Sequence, residues 1–193
     1  MKFSISAATV AATFLVTGAA LAGPLTLTPA NPQPSAGALA SGLSVVYAYP
    51  GNVQTIKDAK NALKKGQPGK PLAGLSYDDT KEGDLTMTAE KAMKVAAAIS
   101  GYIKFDAPGS YTLDFLNNDG LEIFIGGQKV GFYDGIHACG YAGEQEVEVP
   151  SAGYYALEAT YFQKKGTACL MMEWGPDSDG LEPVPNSAFF YRK

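Results

Sequence analysis

The chain has 193 residues, a formal net charge of −4, 46% hydrophobic and 18% charged residues, and two cysteines. An acidic balance of that kind argues against nucleic acid or an anionic membrane surface as the partner. After residue 22 no apolar run approaches the roughly 20 residues that a bilayer-spanning helix takes, so no transmembrane segment is expected after signal cleavage and the mature chain is expected to be soluble.

The first 22 residues read as a secretory signal. Lys2 supplies the positive start, Ile5 to Val16 the short apolar run, and Ala20-Leu21-Ala22 the small-x-small pattern cut by signal peptidase. The alternative, a membrane anchor, would need a longer apolar core to cross roughly 30 Å of hydrocarbon. Cleavage after Ala22 makes Gly23 the mature N-terminus and predicts a secreted or periplasmic protein. It leaves about 170 residues, enough for one domain with a sizeable core. Export places Cys139 and Cys169 in an oxidising compartment, and a disulfide between them is the expectation. Closing a loop of that length contributes about 3–4 kcal/mol through the entropy of the unfolded chain. Two free thiols are the alternative, while a metal site lacks a second histidine or a close cysteine pair.

Residues 23–41 hold four prolines and little period. They read as an extended Pro-rich linker or arm, with an edge strand at Pro24 to Thr28 as the alternative. Leu43, Val45 and Tyr47 alternate like a first strand. Val53, Ile56, Ala59, Ala62 and Leu63 fall at helical spacing and stop at Gly66, which predicts a short helix over 53–65. Lys60, Lys64 and Lys65 on that helix form a small basic cluster that most simply solvates its outer face. From Thr88 to Ser100 the composition is helical, yet Val95, Ala97 and Ile99 alternate, and strand is the expectation for the second half.

Beyond Gly101 the period-two pattern is strong. Tyr102 to Phe105 ends at the turn Asp106-Ala-Pro-Gly-Ser110. Tyr111, Leu113 and Phe115 alternate up to Asn117-Asn118-Asp119-Gly120. Leu121, Ile123 and Ile125 lead through the hairpin signal Gly126-Gly127 to Lys129–Tyr133. A loop over 134–143 carries His137 and Cys139. Val147 and Val149, then Tyr155, Leu157, Ala159 and Tyr161, then Ala168, Leu170, Met172 and Trp174 complete the series. Short strands with one apolar face need a second sheet to cover it. The expected class is mainly β, an antiparallel β-sandwich with short helical insertions over residues 42–193.

The order of these motifs resembles a known family. Gly101-Tyr-Ile-Lys-Phe-Asp-Ala-Pro-Gly-Ser-Tyr-Thr-Leu-Asp-Phe, then Asn118-Asp119-Gly120-Leu-Glu-Ile-Phe-Ile-Gly-Gly127, is similar to the protective-antigen N-terminal-type domain, named after the anthrax toxin component and lectin-like in several branches. Pro150-Ser-Ala-Gly153-Tyr, Leu157-Glu-Ala-Thr-Tyr-Phe162, Gly166-Thr-Ala-Cys-Leu and Trp174-Gly-Pro176 agree with it. The resemblance implies a sandwich whose end loops bind glycans in adhesin members. In lectin members two successive aspartates and an asparagine from a later loop chelate calcium. Here the pair reads Asn118-Asp119, and the later loop reads Gln163-Lys164-Lys165-Gly166. One carboxylate has become an amide and two cations have arrived, which weakens the set of oxygen ligands a hard cation needs and leaves Asp119 as the candidate metal ligand.

The candidate ligand-binding set is therefore Asn118, Asp119, Gly120, Tyr133, Asp134, His137, Tyr141, Gln163 and Lys164. Asn118 to Gly120 also reads as a plain hairpin turn, because Asn and Asp bond their own backbone and Gly accepts positive φ. His137, the single histidine, reads more simply as a surface-loop residue, since a metal site or general base normally needs partners. Tyr133 and Tyr141 are candidate stacking platforms for sugar rings, whereas Trp174 fits the core period. Asp78, Asp79, Glu82 and Asp84 form an acidic loop, but a glycosidase needs two carboxylates set across a cleft. Without a Gly-x-Ser-x-Gly elbow, a His-Glu-x-x-His pair or a Walker loop, no enzyme is expected. The function expected is an exported binding module for carbohydrate or a cell-surface ligand. The alternative is a structural protein whose partner is an envelope or extracellular protein, its arm adding a strand to a neighbour's sheet.

Overall fold

Alternating apolar positions over residues 95–175 produce the long strands that frame the molecule, whose computed structural model describes residues 23–176 and 180–193. The signal-peptide reading of residues 1–22 lies outside the described residues. In chain order the first strands are β1 (Leu25–Thr26), β2 (Leu39–Ser41), β3 (Ser44–Ala48), β4 (Gln67–Pro68), β5 (Ser76–Tyr77), β6 (Val95–Phe105), β7 (Gly109–Asn117) and β8 (Gly120–Ile125). They continue as β9 (Gln128–Tyr133), β10 (Gly140–Tyr141), β11 (Gln145–Val149), β12 (Gly153–Gln163), β13 (Leu170–Gly175), β14 (Glu182–Pro183) and β15 (Phe189–Arg192). One helix, α1 (Ile56–Leu63), lies between β3 and β4.

Two sheets result. The first runs β1-β11-β7-β13-β14, with β10 also on β7 and β5 on β13. The second runs β2-β15-β6-β12-β8-β9, with β3 on β6 and β4 on β3. The long strands pair antiparallel, as where β12 follows β6 from Gly153 opposite Phe105 to Gln163 opposite Val95. Tyr155, Leu157, Ala159 and Tyr161 of β12 then meet Leu113 and Phe115 of β7 and Leu170 and Met172 of β13 in a single buried cluster. Each large side chain of this kind contributes about 1.5–3 kcal/mol when fully buried. Trp174, expected in the core, is half-buried and packs on Phe105 with ring centroids 5.4 Å apart. The mainly β sandwich read from the sequence is the fold observed.

The helix is shorter than its spacing suggested because its N-terminus is fixed by capping. Thr55 Oγ1 accepts the Asp58 N–H at 3.1 Å, and the Asp134 carboxylate accepts the Ile56 N–H at 2.7 Å. Both satisfy orphan donors at the positive end of the helix dipole. Ile56 and Ala59 rest on Ala48, Ala96 and Phe162, on the outer face of the second sheet. Small side chains at that place let the helix approach, which is why an alanine-rich stretch of helical composition is strand from Val95 onward.

Two expectations need correction. Of the two readings of residues 23–41, the structure shows the edge strand: β1 pairs in parallel with β11, Leu25 opposite Val147, and Leu27 is buried. Leu39 to Ser41 also pair, with β15. Apolar residues at 25, 27 and 39 outweigh the four prolines that suggested a free arm. Second, Asn117 to Gly120 is not a hairpin. β7 belongs to the first sheet and β8 to the second, so these residues turn the chain from one layer to the other. Asp119 sits at φ 52° there. The true hairpin is at Gly126-Gly127, with φ 54° and 79°, as read from the sequence.

Candidate functional site

The inward-facing row of β7 continues Leu113, Phe115, Asn117, and that of β12 continues Tyr155, Leu157, Ala159, Tyr161, Gln163. Both rows thus end in an amide at the same end of the sandwich, and both amides are fully buried. Asn118 and Asp119, also buried, complete a polar corner in an otherwise apolar interior. Its hydrogen bonds are dense. Asn118 Oδ1 accepts from the Tyr161 hydroxyl and from the Cys169 N–H at 3.1 Å, while its Nδ2 donates to the Thr167 carbonyl at 2.8 Å. Asp119 Oδ2 accepts the Lys164 N–H at 2.6 Å. Asn117 Nδ2 donates to the Asp119 carbonyl at 3.0 Å and lies 3.2 Å from His137 Nε2. Gln163 Nε2 reaches the carbonyls of Gly166 and Thr167, at 3.2 Å each. Among the described residues, Asn117 Oδ1 and Gln163 Oε1 are buried without a partner.

Burial decides the protonation tendencies here. It raises the Asp119 carboxyl above its ordinary range, against the opposing pull of the Lys164 N–H and the His137 backbone. It raises the Tyr161 hydroxyl far more, so this group stays protonated and donates.

Above the corner a cleft of about 650 Å³ opens, lined by Glu82, Asn118, Asp119, Ile136, His137, Lys165 and Thr167 among others. His137 is held by Tyr133, whose ring stacks on the imidazole with centroids 3.8 Å apart. The loop bearing His137 is pinned by the Cys139–Cys169 disulfide, across a Cα separation of 6.0 Å. Cys169 in turn bonds Asn118 through both its N–H and its carbonyl. The expected disulfide is present, and it joins the histidine loop to the corner.

The structure divides the sequence-derived candidates. Asn118, Asp119 and His137 line the cleft, with Tyr133 behind the imidazole. Lys164 contributes its backbone N–H, whereas exposed Lys165 is among the residues that line the cleft. Gln163 lies beneath, bracing the turn at 166–167. Gly120 has a packing role, since a Cβ there would come within 2.0 Å of the Phe162 ring. Asp134 caps α1 and does not line the cleft. Tyr141 lies elsewhere, 57% exposed on β10, where the neighbouring Glu173 carboxylate raises its hydroxyl. Ile136 and Lys165 lie in the 134–143 and 163–166 loops that the sequence pointed to but were not among the nine candidates, and Thr167 lies just beyond the second loop. Only the turn geometry decides which side chains face the cleft.

Calcium does not fit this corner. A hard cation takes six to eight oxygens, and among the described residues the corner offers a single buried carboxylate that already accepts an N–H, an Asn118 oxygen held by two donors, and the amide oxygens of Asn117 and Gln163, a set short of that number and with one negative charge. Among the described residues, the one cluster of three His, Cys, Asp or Glu side chains is Asp79 with Cys139 and Cys169. The disulfide leaves that cluster no thiolate to bind a metal.

The two facing sheets, closed at one end by a polar corner, define a β-sandwich. The PA14 domain model matches residues 74–188, and the chain belongs to that family. The match is to the domain family and not to the anthrax toxin component itself. No curated protein matches this chain. Among solved structures, the PA14 domain of the antifreeze protein MpAFP is similar with a TM-score of 0.67 at 14% identity, covering 79% of this chain and 92% of that one. The PA14 sugar-binding domain from an RTX adhesin gives 0.62 at 18% identity, covering 78% and 98%. The Epithelial Adhesin 9 A domain from Candida glabrata, in complex with Galb1-4GlcNAc, gives 0.62 at 13% identity, covering 88% and 96%. At these identities the likeness is one of fold.

Proposed function

We propose that this chain is an exported, non-catalytic carbohydrate-binding module that takes its ligand at the Asp119–His137 cleft without calcium. The observation that carries this reading is the convergence of a carboxylate, an imidazole and an ammonium, from Asp119, His137 and Lys165, on one cleft with an apolar edge at Ile136. Ring hydroxyls need such a mixture of acceptors and donors, and a sugar's apolar face needs the edge. The adhesin domains of the same fold support it, one a sugar-binding domain and one solved with a disaccharide. The disulfide and the N-terminal sequence support export. The rival role, assembly through an arm that adds a strand to a neighbour, draws on a segment that already pairs with β11 of its own chain.

A glycan array probed in calcium and again in chelator tests this. At least one glycan is retained equally in both, and Lys165→Glu, an exposed change, weakens that binding tenfold or more. Retention of no glycan would overturn the sugar reading. Loss of binding in chelator would overturn the calcium-free site.

A further inference from the structure

A second concavity, sharing no lining residue with the corner cleft, opens where the ends of β3 and α1 meet β4. Its volume is about 740 Å³, and Tyr47, Tyr49, Lys65, Gln67, Lys70 and Glu90 are among its walls. We propose that this groove binds an acidic carbohydrate, with a sugar ring laid on Tyr49 and its carboxylate met by Lys65 and Lys70. This goes beyond the corner site and does not depend on it.

The aromatic pair is built in advance of any ligand. The Tyr47 and Tyr49 rings lie 17° from parallel with centroids 6.3 Å apart. Tyr47 is buried, and its hydroxyl is fixed at 2.9 Å from Thr88 Oγ1. The Tyr49 hydroxyl accepts the Glu90 N–H at 3.0 Å. Partly buried Tyr49 is therefore a rigid ring that loses little freedom on binding. The floor is shaped to it: a Cβ on Gly69 would come within 2.5 Å of the Tyr47 ring.

Charge selects the ligand class. In a chain of net charge −4, this groove carries two lysines against one glutamate. Exposed Lys91 holds an ammonium over the Tyr49 ring, 5.1 Å from its centroid, and a sugar acid stacked on that face displaces it toward the sugar's carboxylate. The helix lysines also separate by role. Lys60 pairs with Glu122 and Lys64 bonds Asn61, whereas among the described residues Lys65 and Lys70 form no ion pair. An acidic peptide is the less suitable occupant. Pro68 has no N–H for an added strand, and the Gly69 N–H is already given to Val45. A flat ring with an apolar face and a charged rim matches a tyrosine between cations.

Nitrogen-15 NMR titration of the protein with an oligomer of galacturonic acid, beside an uncharged galactose oligomer of equal length, decides the matter. Saturable shifts are expected at the Gln67, Gly69 and Lys70 amides for the acidic oligomer. The affinity should fall tenfold or more in a Lys65→Glu/Lys70→Glu variant and stay unchanged in Lys165→Glu, whose lesion is in the corner cleft. Absence of saturable shifts at those amides overturns the proposal, as does equal binding of the uncharged oligomer. Equal binding of poly-glutamate would make the groove a peptide site and overturn it too. Loss confined to Lys165→Glu would assign the acidic sugar to the corner cleft instead.

Discussion

The middle of the sandwich and its corner are built on the same two inward rows of side chains, yet they are held by different forces. In the middle, Phe115 and Leu157 are sealed between the sheets with nothing polar to satisfy. One inward position beyond Phe115 and three beyond Leu157, the rows end in Asn117 and Gln163, equally buried but fixed by directed hydrogen bonds. Apolar burial is tolerant of identity and stabilises in proportion to area. A buried polar network is tolerant of neither identity nor geometry, because each unmet group costs its full desolvation. The middle gives the molecule its stability, while the corner fixes where the histidine loop and the 163–167 turn sit.

The largest effect should come from the middle. Phe115→Ala leaves a cavity against Gly131, whose Cα side faces the Phe115 ring closely, and should cost about 3–5 kcal/mol in urea unfolding. Its cleft, supported separately by the disulfide, should keep its ligand preference in the folded fraction. A smaller effect is expected at the corner. Tyr161→Phe keeps the ring in the core but removes the hydroxyl that donates to Asn118 Oδ1. Since Cys169 N–H still serves that oxygen, the cost should be about 1–2 kcal/mol. The accompanying sign is local: amide shifts at Asn118, Cys169 and Lys164 should move while those of Leu113 and Phe115 stay. A change spread through both sheets would mean that corner and core are one cooperative unit.

The middle was legible in the sequence because period-two alternation states which face is buried. Tyr111 to Phe115 and Tyr155 to Tyr161 could be read without a structure, and the Gly126-Gly127 hairpin followed from backbone sterics alone. The corner was half legible. Its residues were picked out by type, but Asn117 and Gln163 occupy apolar positions of the pattern, and nothing local says that a polar residue there will be buried. The change of sheet between Asn117 and Gly120 was likewise invisible, since a turn sequence does not state whether the next strand pairs beside the last or opposite it. Asp134 shows the same limit. A carboxylate in a loop reads as a ligand group, whereas its partner, the Ile56 N–H, is distant in sequence. Residues 23–41 misled in the other direction, proline counting for less than the three leucines that dock them.

The smallest effect separates corner from middle most cleanly, because only the corner titrates. Burial raises the Asp119 carboxyl above its unfolded value of 3.8, so between those two values the folded chain binds more protons than the unfolded one. Stability then falls as pH rises through that window. Below the unfolded value the penalty is absent; above the folded value it is complete. Asp119→Asn removes the charge and keeps an oxygen able to accept the Lys164 N–H, so the variant should lack this component. Unfolding free energies of both proteins, taken from about pH 3 to pH 7, should show the native chain losing stability relative to the variant as pH rises. Every other carboxylate is common to the pair and cancels. Phe115→Ala, measured beside them, should run parallel to the native chain throughout. The opposite slope for Asp119→Asn would mean that the Lys164 and His137 backbone contacts outweigh burial. The corner would then be a site that holds its negative charge firmly, and a cation would have to be reconsidered there.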